Sequence, residues 1–404
     1  MQRLPDAQAQ PRIDVIDLLR GVAILLVLIW HYAQNTGILL TMGQIGELAH
    51  KFLVFGWSGV DLFFVISGFL IGGIVFDKMD SYSFYSTFYG RRFLRIVPLY
   101  AISLTILFLS ALFVEPQDHK ALEWLFGHPM AAWSYLSFTQ NIAMVFSNTF
   151  GANWIAITWS LAVEEQFYLI APFVLRSLPR NRVPVFLVAG IVAAPFIRLV
   201  TFDAIGPLAC YVLFPCRMDS LFAGVLLAHM VRQKGSTDFL QSQRMLFSAT
   251  ALLSFCLIVF FGYNGESVFS KNMTVFGYSA FSIFYASLLS LCICTKNASI
   301  KSCAPYKFLR VTGIRCYSIY LLHQPCIGVC FYIMASGAPF IKGYNDFPAF
   351  IAAIALLTIL TALSWRLIEH PGIVLGRQLR YLNGGPCSSQ TAQRLAGGKG
   401  RPQT

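Results

Sequence analysis

Apolar runs long enough to cross a bilayer recur along almost the whole chain, and that repetition limits what it can fold into. A helix needs about 20 apolar residues to cross the ~30 Å hydrocarbon core. Within that core the backbone must satisfy its own hydrogen bonds, which a helix does inside one segment. The composition agrees: 56% of the 404 residues are hydrophobic and 12% are charged, whereas a soluble domain carries about twice that charge. A single oversized core in a water-soluble shell is excluded. The expected fold class is all-α, a polytopic transmembrane helical bundle of about ten spans.

The expected spans are roughly 14–34, 54–76, 93–113, 158–176, 183–200, 207–231, 245–263, 273–294, 316–336 and 348–368. The apolar piece 133–147 is short and polar-flanked, which suits a re-entrant or interfacial element. The first run is not read as a cleavable signal peptide. Polar residues fill positions 5–12, Arg20 and His31 interrupt the run, and no small-residue site closes it.

A net charge of +12 on a soluble chain would suggest nucleic acid. Here the basic residues sort by loop, so no nucleic-acid partner is expected. With the N-terminus inside, one set of segments holds Arg3 and Arg12, then Lys78, Arg91, Arg92 and Arg95, then Arg176, Arg180 and Arg182. The same set continues with Arg232, Lys234 and Arg244, then Lys296, Lys301, Lys307, Arg310 and Arg315, and finally Arg366, Arg377, Arg380, Arg394, Lys399 and Arg401. The intervening segments hold one each: Lys51, Lys120, Arg198, Lys271 and Lys342. The positive-inside rule therefore predicts both termini in the cytoplasm. The expected organisation is a cytoplasmic N-terminal tail (1–13), a transmembrane domain (14–370) and a disordered Gly/Ser/Gln-rich cytoplasmic tail (371–404). No internal repeat is visible. The longest outer segment, about 114–157, is the expected substrate-facing lid.

Of ten cysteines, eight fall in the expected spans, and Cys303 and Cys387 fall in cytoplasmic segments. None lies outside, so a disulfide framework is not expected, and no Cys/His spacing suggests a metal.

Ionisable residues at membrane depth are costly and mark function by default. In the first span Asp17, Arg20 and His31 interrupt an apolar helix. At about 100° per residue they form one polar stripe about 20 Å long, with Arg20 toward the inside and His31 toward the outside. An Asp17–Arg20 ion pair at the membrane edge is the plainer alternative. Asp61 in the second span lies about as far outward as His31, where it could orient an imidazole or simply meet the interface. The glycines at 59, 68, 72 and 73 favour close helix packing. In the fourth span Glu164 and Glu165 point about 100° apart, and Glu164 is the one expected to face a polar cavity. Arg217 and Asp219 in the sixth span and His323 in the ninth lie near mid-bilayer, and Pro325 is expected to kink the ninth. On the inner side Arg91, Arg92 and Arg95 form a cluster that fits phosphate, although topology alone also demands a basic loop there. Together these residues describe a polar channel. That alone fits an enzyme or a transporter, and it disfavours a passive sensor or scaffold.

At these same residues the chain resembles acyltransferase family 3, the bacterial membrane O-acyltransferases. The carriers are RGVAILLVLIWH, GVDLFFVISGFLI, RRFLRIVPLY, WSLAVEEQFYL, RMDSLFAG, YSIYLLHQP and SWRLIEHP, in the family's order, and the likeness covers about residues 13–372. It implies about ten core spans and a cytoplasmic acyl-CoA donor, usually acetyl-CoA. The implied acceptor is a hydroxyl of a surface polysaccharide, lipopolysaccharide or glycolipid precursor at the inner (plasma) membrane. It implies Arg20 and His31 as the central pair, with Asp61 or Glu164 orienting His31. Arg91, Arg92 and Arg95 become donor-binding residues. Arg217, His323 and Trp159 are supporting or substrate-binding residues. His370 stands where the family's last motif usually carries another basic residue. Some members carry an added extracytoplasmic esterase-like domain. A chain of this length is expected to lack one and to complete transfer within the membrane domain. The competing expectation is a proton-coupled transporter or a flippase of a lipid-linked sugar. The absence of an inverted repeat counts against it.

Overall fold

The computed structural model describes residues 9–34, 36–39, 43–115, 119–233, 236–294, 303–335 and 337–382, and every regular element among them is helical. Helix α1 (Ala9–Leu28) runs on into a π turn, Ile29–Gln34. A short α2 (Gly43–Leu53) and the 3-10 turn Val54–Ser58 lead into α3 (Gly59–Lys78). Then come α4 (Phe84–Phe113), three short helices α5 (Lys120–Phe126), α6 (Ala132–Leu136) and α7 (Gln140–Ser147), and α8 (Trp159–Ser177). The middle of the chain forms α9 (Val183–Ala204), α10 (Pro207–Val212), α11 (Phe214–Met230), α12 (Ser236–Ser242), α13 (Arg244–Tyr263) and α14 (Tyr278–Cys294). The last part is α15 (Ala304–Ile314), α16 (Cys316–Met334), α17 (Phe347–Ser364), the π turn Trp365–Glu369 and α18 (His370–Gln378). Nine helical stretches among the described residues are long and apolar enough to cross a membrane. Helix α8, which carries Glu164, Glu165 and Arg176 within its 19 residues, makes about ten spans with them.

Several expected boundaries shift for physical reasons. The arginine cluster lies inside α4, which begins at Phe84, so Arg92 and Arg95 stand one turn apart on a helix and not on a loop. The sixth span is broken: Leu213 is extended between α10 and α11, and Pro215 follows in the first turn of α11. Helix α16 continues through Pro325 without ending. The piece 133–147 does not span. The second of its two short helices docks through fully buried amides, with Gln140 donating to the Thr158 carbonyl (2.9 Å) and Asn141 to the Val212 carbonyl (3.1 Å). The chain beyond 370 is also more structured than its composition suggests, since α18 is followed by 379–382 strapped along the start of α4. Arg91 donates twice to the Leu379 carbonyl (3.1 and 2.6 Å), Thr87 donates to the Arg380 carbonyl (3.0 Å), and Tyr82 N–H donates to the Leu382 carbonyl (3.0 Å). Residues 383–404 lie outside the described residues, as do Arg3, Lys234, Lys296, Lys301, Cys387, Arg394, Lys399 and Arg401.

The two ends of the bundle carry different ties, and Arg91, Arg92, Arg95, Arg176 and Arg315 gather toward the first of them in the loop-charge reading. At one end Arg232 bonds Asp77, Arg310 bonds Asp14 and Arg180 meets Asp80. At the other, Lys271 bonds Asp203, and Ile341 N–H reaches the Thr36 carbonyl. Below, the first is the basic end and the second the opposite end.

Helix α3 is the central post. A Cβ on Gly68 would collide with the Leu221 carbonyl of α11, and one on Gly224 would collide with the Val65 carbonyl of α3. Backbones this close gain packing and dispersion that larger residues would forbid. Gly68→Leu is therefore expected to destabilise the bundle by more than the ~1–3 kcal/mol of ordinary overpacking. The check is the melting temperature of the purified variant, which should fall well below that of Ile66→Leu.

Charge also ties α3, α9 and α11 together. Arg217 donates to Asp61 at 2.7 Å, and Arg198 donates to Asp219 at 2.9 Å, all four side chains being at most 1% exposed. Ser220 donates to Asp61 (3.1 Å), while Arg198 also reaches the Cys216 carbonyl and Ser279. Arg198 is thus not an outer-loop charge, as its position near the end of a span suggested. It is a wholly buried counter-ion.

Candidate active site

Two cavities lie along α1, one at the level of Arg20 and one at the level of His31. The first, a basic chamber of about 100 Å³, is lined by Arg20 from α1, Ser67 from α3, Arg92 and Arg95 from α4, and Glu164 and Tyr168 from α8. The spacing of α4 puts Arg92 and Arg95 on one face, and no carboxylate among the described residues bridges either. Arg20 lies 3.4 Å from Asp17, so the expected edge ion pair exists, yet Arg20 still faces the chamber. The single chamber carboxylate is engaged. Tyr168 donates to Glu164 (2.9 Å) and meets Ser67 (2.5 Å), while the Arg92 guanidinium lies 4.8 Å from the Tyr168 ring centre. Three guanidinium groups against one carboxylate make a pocket suited to an anion, above all to phosphate oxygens.

The second, an aromatic chamber of about 230 Å³, contains His31. Its wall is drawn from α1, α3, the segment before α8, α10 and α16, and it includes Trp159 and Gln324. His31 sits on the π turn that ends the first span. A π turn widens the helix locally and commonly marks a functional position. His31 Nδ1 donates to the Val27 carbonyl at 2.9 Å. A carbonyl can only accept, so the neutral ring carries its proton on Nδ1 and presents Nε2 as a base. His323 is completely buried beside it, ring centres 4.7 Å apart, with its own Nδ1 on the Tyr320 carbonyl (2.6 Å). Tyr32 donates to the His323 carbonyl (2.7 Å) and so joins the two helices at this point.

The chambers share two wall residues, Val60 and Tyr320. The Tyr320 hydroxyl donates to the Ile157 carbonyl (2.9 Å) and meets the Ser160 hydroxyl (2.7 Å), which holds its ring in place. The polar stripe of α1 therefore borders two compartments that meet at a shared wall of Val60 and Tyr320.

Not every candidate belongs to it. Asp61 does not hydrogen-bond His31: its Oδ1 accepts from Arg217 and Ser220, and its Oδ2 is buried without a partner among the described residues. Glu164 faces the basic chamber and not the imidazole, whose orientation comes from the Val27 carbonyl. Arg217 lines neither chamber; its guanidinium sits 4.2 Å from the Tyr278 ring centre. Arg91 turns away to the 379–382 strap and the Tyr381 ring. Asp219 is bound to Arg198. Glu165 is largely enclosed away from both cavities, with Oε1 unpartnered. Ser67, Tyr168, Tyr320 and Gln324 are contributors that the charge search missed. All four lie inside the quoted motifs, but uncharged side chains give no cost signal in an apolar run.

An arginine-rich chamber adjoining one lined by an imidazole matches the motif order read along the chain. The family model described as an acyltransferase domain matches residues 13–366. The chain belongs to that acyltransferase family. It is similar to the peptidoglycan O-acetyltransferase OatA of Listeria monocytogenes, with 28% identity over 376 residues, 88% of this chain and 55% of the relative. It is similar also to the O-acetyltransferase OatA of Staphylococcus aureus (strain NCTC 8325 / PS 47), 23% identical over 378 residues, 88% of this chain and 56% of the relative. The chain thus spans about half the length of the curated relatives it matches. No solved structure matches it. The acyltransferase-family match covers the residues that line both chambers, from Arg20 to Gln324.

Proposed function

We propose that this chain is an integral-membrane O-acetyltransferase that moves an acetyl group from cytoplasmic acetyl-CoA to a sugar hydroxyl of a cell-surface polysaccharide, lipopolysaccharide or glycolipid precursor. The observation that carries the reading is the pair of adjoining chambers that share Val60 and Tyr320 in their walls, one cationic and the other lined by His31. The basic end faces the cytoplasm of the inner membrane in this reading, with both termini inside, as the loop charges require.

Coenzyme A carries a diphosphate and a 3′-phosphate, which Arg92 and Arg95 receive at the basic chamber. In this reading its pantetheine arm passes the shared wall at Val60 and Tyr320 and brings the thioester to His31. The acceptor hydroxyl enters from the opposite end and gives its proton to His31 Nε2 as its oxygen attacks the thioester carbonyl carbon. When the carbon–sulfur bond breaks, the thiolate takes that proton and leaves as free thiol, and the ester stays on the acceptor. Arg20, about 16 Å of helix from His31, belongs to the cationic chamber and adds to its hold on the donor phosphates. A transient acetyl on His31 Nε2, taken up before the acceptor attacks, uses the same groups.

The test is label transfer. Membranes with the chain, given acetyl-CoA labelled on the acetyl group, should deposit label in extracted glycolipid or polysaccharide. No deposit from verified protein would remove the reading. Arg92→Ala with Arg95→Ala is expected to raise KM for acetyl-CoA by roughly 10- to 100-fold, since charge-assisted bonds are worth about 1.5–3 kcal/mol each. Initial rates against donor concentration check this, and KM for the acceptor should stay put.

A further inference from the structure

Building on the acyl-transfer reading, we infer that the aromatic chamber is the acceptor subsite, shaped for one pyranose ring and oriented by the amide of Gln324. Three independent observations lead there. The first is the wall. Trp30, Trp57, Trp159 and Tyr211 supply large flat faces, and Trp159 and Tyr211 lie 4.6 Å apart between ring centres. Such faces attract the axial C–H groups of a pyranose, whose slight positive charge meets the electron-rich ring. The second is the polar complement. Gln324 is only 6% exposed, it lines the chamber, and its Oε1 is buried with no partner among the described residues. A buried amide oxygen left bare costs free energy unless a ligand supplies the donor. A sugar hydroxyl is such a donor, and an acyl chain is not. The third is size. At about 230 Å³ the chamber holds far more than a single water and has room for a ring of a sugar's size.

These features fix a direction. His31, on the π turn, and Gln324, on α16, line the same space, so a ring stacked on the aromatic wall can offer one hydroxyl to the imidazole and another to the amide. The hydroxyl on His31 is the one acylated, and the hydroxyl on Gln324 selects which ring orientation puts it there. Gln324 is a binding residue in this scheme and takes no part in proton transfer.

Binding without chemistry tests this. The full chain in lipid nanodiscs is mixed with methyl pyranosides of glucose, galactose, mannose, rhamnose and N-acetylglucosamine, and saturation-transfer NMR reads ring-proton contact. Coenzyme A binding is measured on the same samples by calorimetry. The expected result is saturation of at least one pyranoside by the wild type. Gln324→Leu and Trp159→Leu should weaken its binding by about tenfold, the loss of one buried hydrogen bond or one stacking face. Both should keep coenzyme A binding, which shows that they fold. Gln324→Glu, which keeps an acceptor oxygen, should restore part of the signal. Equal saturation in wild type and both leucine variants overturns the subsite. So does no saturation of any pyranoside while coenzyme A still binds, and in that case the donor half of the acyl-transfer reading survives. Loss of coenzyme A binding in the wild type would instead defeat the acyl-transfer reading itself.

Discussion

Replacing His31 with glutamine is expected to lower acetyl transfer by about 10²- to 10⁴-fold, the range a positioned general base supplies. Glutamine is close in length and keeps an N–H able to meet the Val27 carbonyl that His31 Nδ1 uses, at 2.9 Å. What it lacks is a basic nitrogen on the chamber side. Packing beside the buried His323 ring is largely kept, so melting temperature and coenzyme A binding should change little. The measurement is label transfer from acetyl-CoA into glycan, normalised to folded protein. Full transfer by the variant would demote His31 to a structural residue and remove the centre of the mechanism. Asp61→Asn gives the contrast. That carboxylate serves Arg217, so its loss should follow folded yield and not catalysis.

Separating Asp61 from Arg217 is the second large effect expected. Removing one member of a buried pair strands the other charge, at a cost of about 3–5 kcal/mol. The pair is 2.7 Å apart with both side chains at most 1% exposed, and Arg217 Nε and Nη1 already lack partners among the described residues. Asp61→Leu and Arg217→Met should each lower the melting temperature sharply and reduce the yield of monodisperse protein. The double variant, which buries apolar side chains of similar volume, should recover most of that loss. If it regains stability and also transfer, the pair is scaffold. If stability returns and transfer stays absent, one of the two charges acts on substrate after all.

The spans were legible because length and hydropathy directly report the cost of a polar backbone in lipid. So was the partition into an arginine-bearing and a histidine-bearing level, since both residues ride one helix at a known rise. What periodicity could not supply is which neighbour each face meets. Asp61 was placed at the depth of His31, but depth alone does not decide whether a carboxylate turns to α1 or α11. Arg91 was grouped with Arg92 and Arg95 by adjacency, yet neighbours on a helix point about 100° apart. It therefore met the 379–382 strap, a contact across 288 positions of sequence. Arg198 was counted with the outer charges although the expected span, 183–200, already held it near its end; α9 runs on to Ala204 and carries it into the bundle.

The Asp61–Arg217 tie also bears on how the chain is made. Its partners are 156 residues apart, and translation at about 5–20 residues per second separates their synthesis by roughly 8–30 s. For that interval α3 has left the ribosome without its counter-ion, and a lone charge in hydrocarbon is costly. Early helices must then linger in the insertion machinery, or beside its lipid-facing gate, until α11 arrives. Biogenesis of this bundle is thus timed by its middle, and a ribosome stalled ahead of Arg217 should leave a fragment held by the translocon and marked for proteolysis.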